Sequence, residues 1–499
     1  MRRAAQSAPE AAAASMGDVV VSYADLERDA NRIAGALRSQ LGVRHADRVV
    51  VWADTSLEVL PLIVALAKLG AVFAPLNARL GAGEAAEIAD LVGGHSLITD
   101  VIHLGESSAL AISAGISRRA VLARGADSAS LDGLDEGVVR LDPSTLPDPP
   151  EAIAEHQLVE TDPHVIFFTS GSTGRPKGVV LSHRANWLRG FQGVFRDEPE
   201  RTVCIFPLFH MAALTLAIAA WQTRGEIILS ESSAKAILDA VERRGANRLY
   251  GLPLIYTRLL AEDTSGWDLS SLRQLDTGTS ATPIELLRAI RMRFPKQSIR
   301  VYYGSTECGS ATALSDVDVL RKPGSVGRAS LSVDIRIAED GEICVRSPFL
   351  MDCYYDDPEA TAAAFEDGWF RTGDLGELDG EGYLSITGRK KDVLRTGGES
   401  VSPSEIEAIL RDAPGVAELA IVGLPDPDWG EVLCAVIVEI EGSSVTLEDL
   451  QSHCEGRLAG FKKPRRLAIV DRLPRTAATG QIQRTLLVEQ ILASNVVTK

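Results

Sequence analysis

The chain has 499 residues, enough for about three domain-sized units, and its 45% of hydrophobic residues is typical of a globular protein with a substantial core. The net charge of −17, from 51 basic and 68 acidic side chains, argues against nucleic acid or an anionic membrane as the main partner. Six cysteines without a C-x-x-C pair favour reduced thiols in the cytoplasm over a disulfide framework or a zinc site.

Strands and helices alternate through the first quarter of the chain, a pattern that predicts a parallel sheet with helices on both faces. Residues 1–18 are predicted to be a loose lead-in, and Ser22 with Asp25 is typical of a helix start. Strands are predicted at residues 19–23, 48–52, 70–75, 96–99 and 120–122, and a helix at residues 55–69.

An acidic, proline-rich segment at residues 131–162 predicts a connecting loop. The apolar run at residues 165–168 then predicts a buried strand. Residues 169–178 (TSGSTGRPKG) follow it and combine glycines, small hydroxyl side chains, an arginine and a lysine. Glycines let backbone N–H groups approach an anion, while hydroxyls and cations add donors and charge. The pattern therefore predicts a phosphate-binding loop.

This loop differs from the common nucleotide loop, in which a lysine directly follows the second glycine of G-x-x-x-x-G-K-[ST]. Here Gly171 and Gly174 are closer together, and Lys177 is followed by Gly178.

After the loop the alternation resumes, which predicts two stacked, doubly wound α/β units. From residue 325 the strands become short and are separated by Asp-Gly and Glu-Gly turns, which predicts a small antiparallel barrel. Strands are predicted at residues 203–206, 226–229, 248–250, 273–275, 300–302, 334–337, 342–345, 369–370 and 383–386, and helices at residues 212–221, from 234 onward and at 283–294.

The sequence changes character again at residues 388–392 (GRKKD), and a compact α+β unit is predicted beyond them. Its elements are a helix beginning at residues 402–405, strands at 418–422, 432–439 and 467–470, and a helix at 446–458. We therefore predict an N-terminal domain at residues 1–390 and a smaller C-terminal domain at residues 391–499.

The loop at residues 169–178 resembles the phosphate-binding signature of the adenylate-forming superfamily, which includes acyl-CoA synthetases, luciferases and peptide-synthetase adenylation domains. Other motifs match the superfamily in the same order over nearly the whole chain. The resemblance implies an enzyme that handles an acyl-adenylate and coenzyme A, with ATP and Mg²⁺ as further possible ligands. It also implies phosphate binding by Thr169, Ser170, Gly171, Ser172, Thr173, Gly174 and Lys177.

Residues 303–307 (YGSTE) resemble the motif in which a tyrosine stacks on the purine, a threonine holds an α-phosphate oxygen and a carboxylate holds Mg²⁺. The resemblance therefore assigns these roles to Tyr303, Thr306 and Glu307. Residues 276–281 occupy the place of the adenine-binding loop, where Thr279 and Ser280 stand in positions that are usually glycine and alanine. That departure is expected to alter contacts with the nucleotide or the acyl group.

Residues 368–374 (GWFRTGD) end in Asp374, which the resemblance places on the ribose hydroxyls. It implies that Arg389 contacts ribose or phosphate. Lys391 matches the hinge about which the C-terminal domain rotates between two half-reactions. Gly397 and Gly398 resemble the loop that lines the tunnel for the pantetheine arm of coenzyme A.

His210, in the stretch PLFH, resembles the family histidine near the substrate carboxylate. The acyl pocket is expected between His210, residues 251–253 and residues 277–280, which are mostly small or apolar. A bulky or aliphatic monocarboxylate would suit such a pocket better than a dicarboxylate.

The main departure from the family lies at residues 474–484 (PRTAATGQIQR). Relatives have a lysine after the glycine, and it bridges the substrate carboxylate and the α-phosphate during adenylation. Here Gln481 stands at that position, and one extra residue precedes the glycine. A neutral amide cannot offset the repulsion between two anions in the transition state. Arg475 and Arg484 are the nearby cations that could substitute.

The hypothesis from these residues is an enzyme specialised for the second half-reaction, in which acyl-AMP and coenzyme A give an acyl-CoA thioester. A separate adenylating enzyme would then supply the acyl-AMP. The alternatives are a complete ATP-dependent ligase, a ligase that transfers the acyl group to a carrier protein, and a non-catalytic relative that binds acyl-adenylate.

Overall fold

The computed structural model describes residues 1–124, 137–149, 153, 158–170, 176–191, 198–396, 399–426, 430–455, 457–476, 480–494 and 497–498. Over these residues the chain has a mixed α/β fold with a large N-terminal part and a smaller C-terminal part, as the sequence predicts. Three β-sheets organise it, with 14, eight and six strands. None of the described helices is both long and apolar enough to cross a membrane.

The first part of the chain contains α1 (Arg2–Ser7), β1 (Ala12–Met16), β2 (Val19–Ser22), α2 (Tyr23–Ser39), β3 (Arg48–Trp52), α3 (Val59–Leu69), β4 (Val72–Pro75), α4 (Ala82–Val92), β5 (Ser96–Thr99), α5 (Leu104–Ser113), β6 (Arg118–Leu122) and β7 (Val138–Leu141). The predicted strand at residues 48–52 is confirmed, and so is the helix start, because the Ser22 hydroxyl accepts a hydrogen bond from the Asp25 backbone N–H.

The middle of the chain contains β8 (Pro163–Ser170), β9 (Pro176–Ser182), α6 (His183–Gly190), β10 (Arg201–Cys204), α7 (Met211–Gln222), β11 (Glu226–Leu229), α8 (Ala234–Arg244), β12 (Arg248–Tyr250), α9 (Pro253–Ala261), β13 (Gln274–Gly278), α10 (Ile284–Arg293), β14 (Ser298–Ser305) and β15 (Gly309–Leu314). The strands β14, β13, β12, β10, β11 and β1 are parallel neighbours in the 14-stranded sheet. The predicted doubly wound arrangement is confirmed here.

A second doubly wound unit is built on the eight-stranded sheet, in the order β19-β9-β8-β4-β3-β5-β6-β7, where β19 is Cys353–Tyr354. Its central strands pair in parallel, and buried side chains of α2 and α3 pack against them. The strand at β7 was not predicted, since it lies within the acidic segment expected to be a loop. Its sequence, VVRL, suits a strand, and it pairs in parallel with β6.

The next elements are β16 (Ser325–Ala329), β17 (Asp334–Ile337), β18 (Glu342–Arg346), β19 (Cys353–Tyr354), α11 (Pro358–Ala364), β20 (Phe365–Glu366), β21 (Trp369–Leu378) and β22 (Leu384–Arg389). They are short antiparallel strands, as predicted, and the glycines of their turns have positive φ, for example +80° at Gly341. They are continuous with the 14-stranded sheet, because β16 pairs with both β15 and β22.

The C-terminal part contains β23 (Leu394–Thr396), β24 (Glu399–Val401), α12 (Pro403–Leu410), β25 (Val416–Asp426), β26 (Gly430–Glu439), α13 (Leu447–His453), β27 (Arg466–Ile469), α14 (Arg484–Ser494) and β28 (Val497–Thr498). These strands form the six-stranded sheet. A short 3-10 turn at Lys390–Asp392 separates it from β22. The domain boundary at residue 390 stays a prediction.

The loose lead-in predicted for residues 1–18 is wrong, because α1 and β1 lie within it. The strand β1 pairs with β2 and with β11, so it belongs to the 14-stranded sheet. Ala13 and Ala14 are fully buried, and the Trp221 indole N–H donates to the Ala13 carbonyl oxygen at 2.9 Å. Alanine has low strand propensity, so the local sequence does not reveal this strand, which long-range pairing stabilises.

Candidate active site

Four adjacent parallel strands, β10, β12, β13 and β14, have their carboxyl ends at one edge of the large sheet. In open α/β sheets, ligands bind at this kind of edge. His210 lies in the segment after β10, Gly251 follows β12, Thr279 and Ser280 follow β13, and Thr306 follows β14. The topology therefore brings together four regions that the sequence analysis assigned to one site.

The predicted phosphate loop joins two antiparallel strands, β8 and β9, in the neighbouring sheet. Thr169 lies opposite Lys177, and Ser170 lies opposite Pro176, so both ends of the loop are paired. The predicted phosphate ligands Gly171, Ser172, Thr173 and Gly174 lie outside the described residues. The chain then enters α6 directly after β9, with the Ser182 hydroxyl as its N-cap.

Lys177 and Glu307 are connected through Tyr354. The Lys177 ammonium lies over the Tyr354 ring, 4.7 Å from its centre, and the Tyr354 hydroxyl donates to Glu307 Oε1 at 3.2 Å. Burial, followed by the Glu307 charge, raises the pKa of Tyr354 above its usual range, so it stays a neutral donor. The lysine of the loop and the carboxylate predicted to bind Mg²⁺ therefore both contact Tyr354.

The backbone of residues 306 and 307 is held by a buried arginine on α6. Arg189 donates to the carbonyl oxygens of Thr306 at 2.7 Å, Glu307 at 2.9 Å and Phe349 at 2.9 Å. Arg189 is the last residue but one of α6, and only 5% of the residue is exposed. Burial lowers the pKa of Arg189 to about 10, which still leaves it charged at neutral pH.

Tyr303, Asp374 and Arg389 form a second group. The Tyr303 hydroxyl donates to Asp374 Oδ2 at 2.8 Å, and Arg389 Nε lies 3.0 Å from Asp374 Oδ1. Tyr303 and Asp374 are each 8% exposed, whereas the Arg389 side chain is 43% exposed. Burial raises the pKa of Asp374, and the Arg389 charge and the Tyr303 hydrogen bond oppose this rise. The group thus has a buried end and a solvent-facing cation.

Several buried polar atoms near this edge have no hydrogen-bond partner among the described residues: His210 Nε2, Thr277 Oγ1, Thr282 Oγ1 and Ser310 Oγ. Buried polar atoms are nearly always paired in proteins, so unpaired ones clustered at a strand edge are the kind that a ligand completes. Burial, followed by the charge of Arg79, lowers the pKa of His210 to about 4. His210 is therefore a neutral imidazole at physiological pH.

The loop after β13 has an unusual backbone. Thr279 has φ of +70°, in the left-handed region that glycine favours and a β-branched residue rarely adopts. This is a position at which relatives are expected to have glycine. Thr279 and Ser280 are exposed, and the Thr279 side chain forms a hydrogen bond with the half-buried Tyr250. Threonine at position 279 therefore keeps the backbone conformation that glycine favours, and it adds a side-chain contact.

The region between the two parts of the chain has exposed cations. Lys391, the predicted hinge residue, is exposed, and its neighbour Lys390 binds Asp340 at 2.8 Å and Glu342 at 3.0 Å. The hydroxyls of Ser402 and Ser404 both donate to the Thr387 carbonyl oxygen, at 2.8 and 2.6 Å. Gly397 and Gly398, the predicted pantetheine ligands, lie outside the described residues.

Gln481 is exposed on a turn of the C-terminal part, where its backbone N–H and carbonyl oxygen pair with Thr476. Arg475 and Arg484, the cations that the sequence analysis names as possible substitutes, are ion-paired within the same part. Arg475 lies 2.6 Å from Glu418, and Arg484 lies 2.6 Å from Glu407.

A separate group, Asp54, Asp100 and His103, has ligand atoms close enough together to hold a metal ion. His103 already uses both ring nitrogens, on Asp100 at 2.7 Å and on the Ala78 carbonyl oxygen at 2.9 Å. The group lies after strands of the eight-stranded sheet, and Thr55, next to Asp54, accepts a hydrogen bond from the Leu208 backbone N–H at 3.0 Å.

Two residues of the site, Arg189 and Tyr354, were not predicted from the sequence. Arg189 follows the phosphate loop within α6, and Tyr354 lies just before the proline that starts α11. An arginine on a short polar helix is usually exposed, so the sequence gives no sign that this one is buried. Their partners are 117 and 47 residues away along the chain.

Comparisons with family models, with relatives and with solved structures each give matches. A family model described as AMP-binding enzyme matches residues 1–355, and one described as AMP-binding enzyme C-terminal domain matches residues 405–479. The chain is 35% identical over 478 residues to an indoleacetate–CoA ligase of Aromatoleum aromaticum, with 92% of this chain and 91% of that protein covered.

It is also 34% identical over 502 residues to a long-chain fatty-acid–CoA ligase of Mycobacterium tuberculosis, with 96% of this chain and 94% of that protein covered. Among solved structures, it resembles the o-succinylbenzoate CoA synthetase of Bacillus subtilis in complex with its acyl-adenylate intermediate. The TM-score is 0.79 at 27% identity, and the match covers 97% of each chain.

Proposed function

This chain belongs to the AMP-binding enzymes of the adenylate-forming superfamily, in the acyl-CoA ligase branch, and we propose that it forms an acyl-CoA thioester from an acyl-adenylate. The thiol sulfur of coenzyme A attacks the acyl carbon and forms a C–S bond. The bond from that carbon to the phosphate oxygen breaks, AMP leaves, and the thiol proton is released. We further propose that adenylation, the first half-reaction, is impaired in this protein.

The observation behind the second proposal is Gln481 in place of a lysine, together with the ion pairs of its neighbours. Arg475 and Arg484 are each bound to a carboxylate of the C-terminal part, so either would have to break that ion pair before it could act as a substitute. Removing one contact to developing transition-state charge typically costs about 10²–10³-fold in rate. The missing ammonium is therefore expected to slow adenylation by at least that factor.

The thioester step depends on other residues, and these fit an acyl-adenylate. Thr306 would hold an α-phosphate oxygen, and Asp374 with Arg389 would hold the ribose, since the exposed Arg389 is ion-paired with the Asp374 carboxylate at 3.0 Å. His210 would contact the acyl carbonyl as a neutral hydrogen-bonding group. Lys391 would be the hinge that brings Gly397 and Gly398 to the pantetheine arm. Mg²⁺, where it binds with ATP, would neutralise phosphate charge beside Glu307.

The second candidate is a complete ATP-dependent ligase. Lys177 is held above Tyr354 and near Glu307, an arrangement useful for β- and γ-phosphates that acyl-AMP lacks. In the first proposal, this arrangement binds ATP but adenylates the acid only slowly. A separate adenylating enzyme then supplies the acyl-AMP. A carrier-protein acceptor in place of coenzyme A would leave the nucleotide site unchanged.

The acid is proposed to be a bulky or aliphatic monocarboxylate. The relatives are named for indoleacetate and for long-chain fatty acids, which are both monocarboxylates with large apolar bodies. In this chain, Phe206 meets Tyr250 edge to face, and Tyr302 stacks on Tyr250. These rings supply an apolar, aromatic wall next to the proposed carboxylate position.

The test is ATP–pyrophosphate exchange with the purified protein and a panel of aryl, aryl-acetic and fatty acids. The proposal predicts exchange close to background for every acid, together with acyl-CoA formation when the matching synthetic acyl-AMP is supplied. Robust exchange with any acid would favour the complete ligase. Tight binding of acyl-AMP by calorimetry without any acyl-CoA product would favour a non-catalytic relative. Product on a phosphopantetheine carrier but not on coenzyme A would identify the other acceptor.

A further inference from the structure

The turn at residues 306–307 has to stay in place for the proposed function, and two side chains from distant parts of the chain contact it. Arg189 binds its backbone and Tyr354 binds its side chain. Both come from elements that adjoin β9, the strand that follows the phosphate loop in the eight-stranded sheet. Arg189 is on α6, directly after β9, and Tyr354 is on β19, which pairs with β9.

Arg189 is unusual because it is deeply buried yet binds three carbonyl oxygens. Burial lowers the pKa of Arg189, and the charges of Cys308, Glu307 and Asp352 oppose that effect. Burying an arginine is costly unless its donors are all used. A planar guanidinium can reach several carbonyls at once in a fixed geometry, which an ammonium cannot do. The arrangement therefore fixes the spacing between Thr306, Glu307 and Phe349.

Tyr354 reaches the same turn from the other side. Its hydroxyl binds the Glu307 carboxylate, and its ring supports the Lys177 ammonium. The backbone N–H of Tyr354 is itself fixed by the Thr361 hydroxyl at 2.9 Å, at the start of α11. Glu307 is thus held through its backbone by Arg189 and through its side chain by Tyr354.

We propose that Arg189 and Tyr354 act together as positioning residues, which hold Thr306 and Glu307 in register with Lys177 of the phosphate loop. This inference rests on the proposed function for the role of Thr306 and Glu307, but the contacts themselves do not. Neither residue needs to touch substrate. Their effect reaches the reaction through the 306–307 turn, which contacts the nucleotide phosphate.

The first experiment compares Arg189→Lys with Arg184→Lys, which makes the same exchange at an exposed position on the same helix. Lysine keeps the charge but cannot bind all three carbonyls. A displacement of about 1 Å in a reacting geometry costs about 10²-fold, so kcat for acyl-CoA formation from acyl-AMP should fall about 100-fold. The KM for coenzyme A should change less than about twofold, because the thiol does not contact this turn.

The second experiment removes one hydroxyl with Tyr354→Phe and uses Tyr355→Phe as its control. Tyr355 is the adjacent residue, and its ring contacts Arg48 instead of Lys177. We expect about a tenfold loss of kcat with Tyr354→Phe, the lower end for a hydrogen bond to a charged group, since 3.2 Å is long for such a bond. The Tyr355→Phe variant should behave like the parent.

Calorimetric binding of AMP gives a readout that does not depend on turnover. Arg189→Lys should weaken AMP binding several-fold at an unchanged stoichiometry of one, whereas partial unfolding would lower the stoichiometry and leave the affinity of the folded fraction intact. The double variant should lose less than the product of the two single losses, because both side chains hold the same turn.

Parental kcat and AMP affinity in Arg189→Lys, or losses that multiply fully in the double variant, would overturn the inference. If Arg189→Lys does not fold, Tyr354→Phe decides the question, since it keeps the shape of the side chain. Failure of the parent protein to make acyl-CoA from any acyl-AMP would reject the proposed function instead. The calorimetric comparison would then still decide whether Arg189 and Tyr354 position the turn.

Discussion

Replacing Gln481 by lysine tests the physical reason given for impaired adenylation. Gln481 is exposed on a turn, so a lysine there is expected to cost no folding stability. The expected gain follows from Coulomb's law, because an ammonium about 4 Å from a phosphate oxygen is worth about 4 kcal/mol at an effective dielectric constant of about 20. Part of that energy is lost to desolvation of both charges. We therefore expect adenylation to rise by about 100-fold, towards the lower end of measured single-contact effects.

The assay is ATP–pyrophosphate exchange, with acyl-CoA formation from synthetic acyl-AMP measured in parallel. Gln483→Lys is the matched control, since it adds the same charge to an exposed glutamine two residues away. Gln481→Lys should raise exchange and leave the acyl-AMP reaction within about twofold, because the proposed hinge rotation would carry the C-terminal domain away in that step. An unchanged exchange rate in a folded, thioester-competent Gln481→Lys variant would refute a missing cation as the sole defect. The extra residue before Gly480 would then become the next cause to examine.

Three further predictions follow from buried groups. Tyr303→Phe removes the only hydroxyl donor found on Asp374 among the described residues and should lower the free energy of unfolding in urea by about 1.5–3 kcal/mol. Gly278→Ala should cost about 1–3 kcal/mol and raise the KM for acyl-AMP, because the added Cβ would lie 2.4 Å from the Tyr302 carbonyl oxygen. His164 is buried and its pKa is lowered to about 3, so stability should fall by about 1.4 kcal/mol from pH 7.5 to pH 5.5 on its account.

The sign of the His164 effect follows from its two states. The unfolded chain takes up a proton on this histidine below about pH 6.5, whereas the folded chain does not until about pH 3. Stability is therefore full above pH 6.5 and is lost as the pH falls. In His164→Asn, the free energy of unfolding should depend less steeply on pH, because one proton fewer is taken up on unfolding. His453→Asn on α13 is the control. An equal slope in the parent and in His164→Asn would contradict this reasoning.

For the other two variants, Gly266→Ala and Tyr383→Phe are suitable controls. A Cβ at Gly266 would meet nothing within 4 Å, so its unfolding free energy should change little. The Tyr383 hydroxyl accepts a hydrogen bond from Arg321, away from the candidate site. Unchanged stability in Gly278→Ala would contradict the close packing at Gly278. Equal losses of stability in Tyr303→Phe and Tyr383→Phe would contradict a special role for burial at Asp374.

Much of the fold follows from local sequence. The runs at residues 48–52 and 96–99 are continuous and apolar, so they are unambiguous buried strands, and both are found at those bounds. Caps such as Ser22 and turns such as Asp340-Gly341 depend on chemistry within three or four residues, which a sequence displays directly. The strand β1 was missed because alanines have no strong preference for strands, and its pairing with β11 joins residues more than 200 positions apart.

In the candidate site, too, local sequence predicts some features, while others depend on residues far apart in the chain. Motifs containing Tyr303, Thr306 and Asp374 could be recognised, and strand order explains why most of them lie along one edge. The hydrogen bond between Tyr303 and Asp374 spans 71 residues and could not be predicted. The burial of Arg189 also could not be predicted, because a sequence does not show which carbonyl groups converge on a side chain. The roles of Lys391 and Gln481 remain predictions for experiment.

The most direct test of the account is a comparison of two rates on one preparation of the protein. Acyl-CoA formation would be followed once from synthetic acyl-AMP with coenzyme A, and once from the free acid with ATP, Mg²⁺ and coenzyme A. The account predicts turnover from acyl-AMP that exceeds turnover from the free acid by at least about 100-fold. Equal rates from the two starting points would contradict it and identify an ordinary, complete ligase.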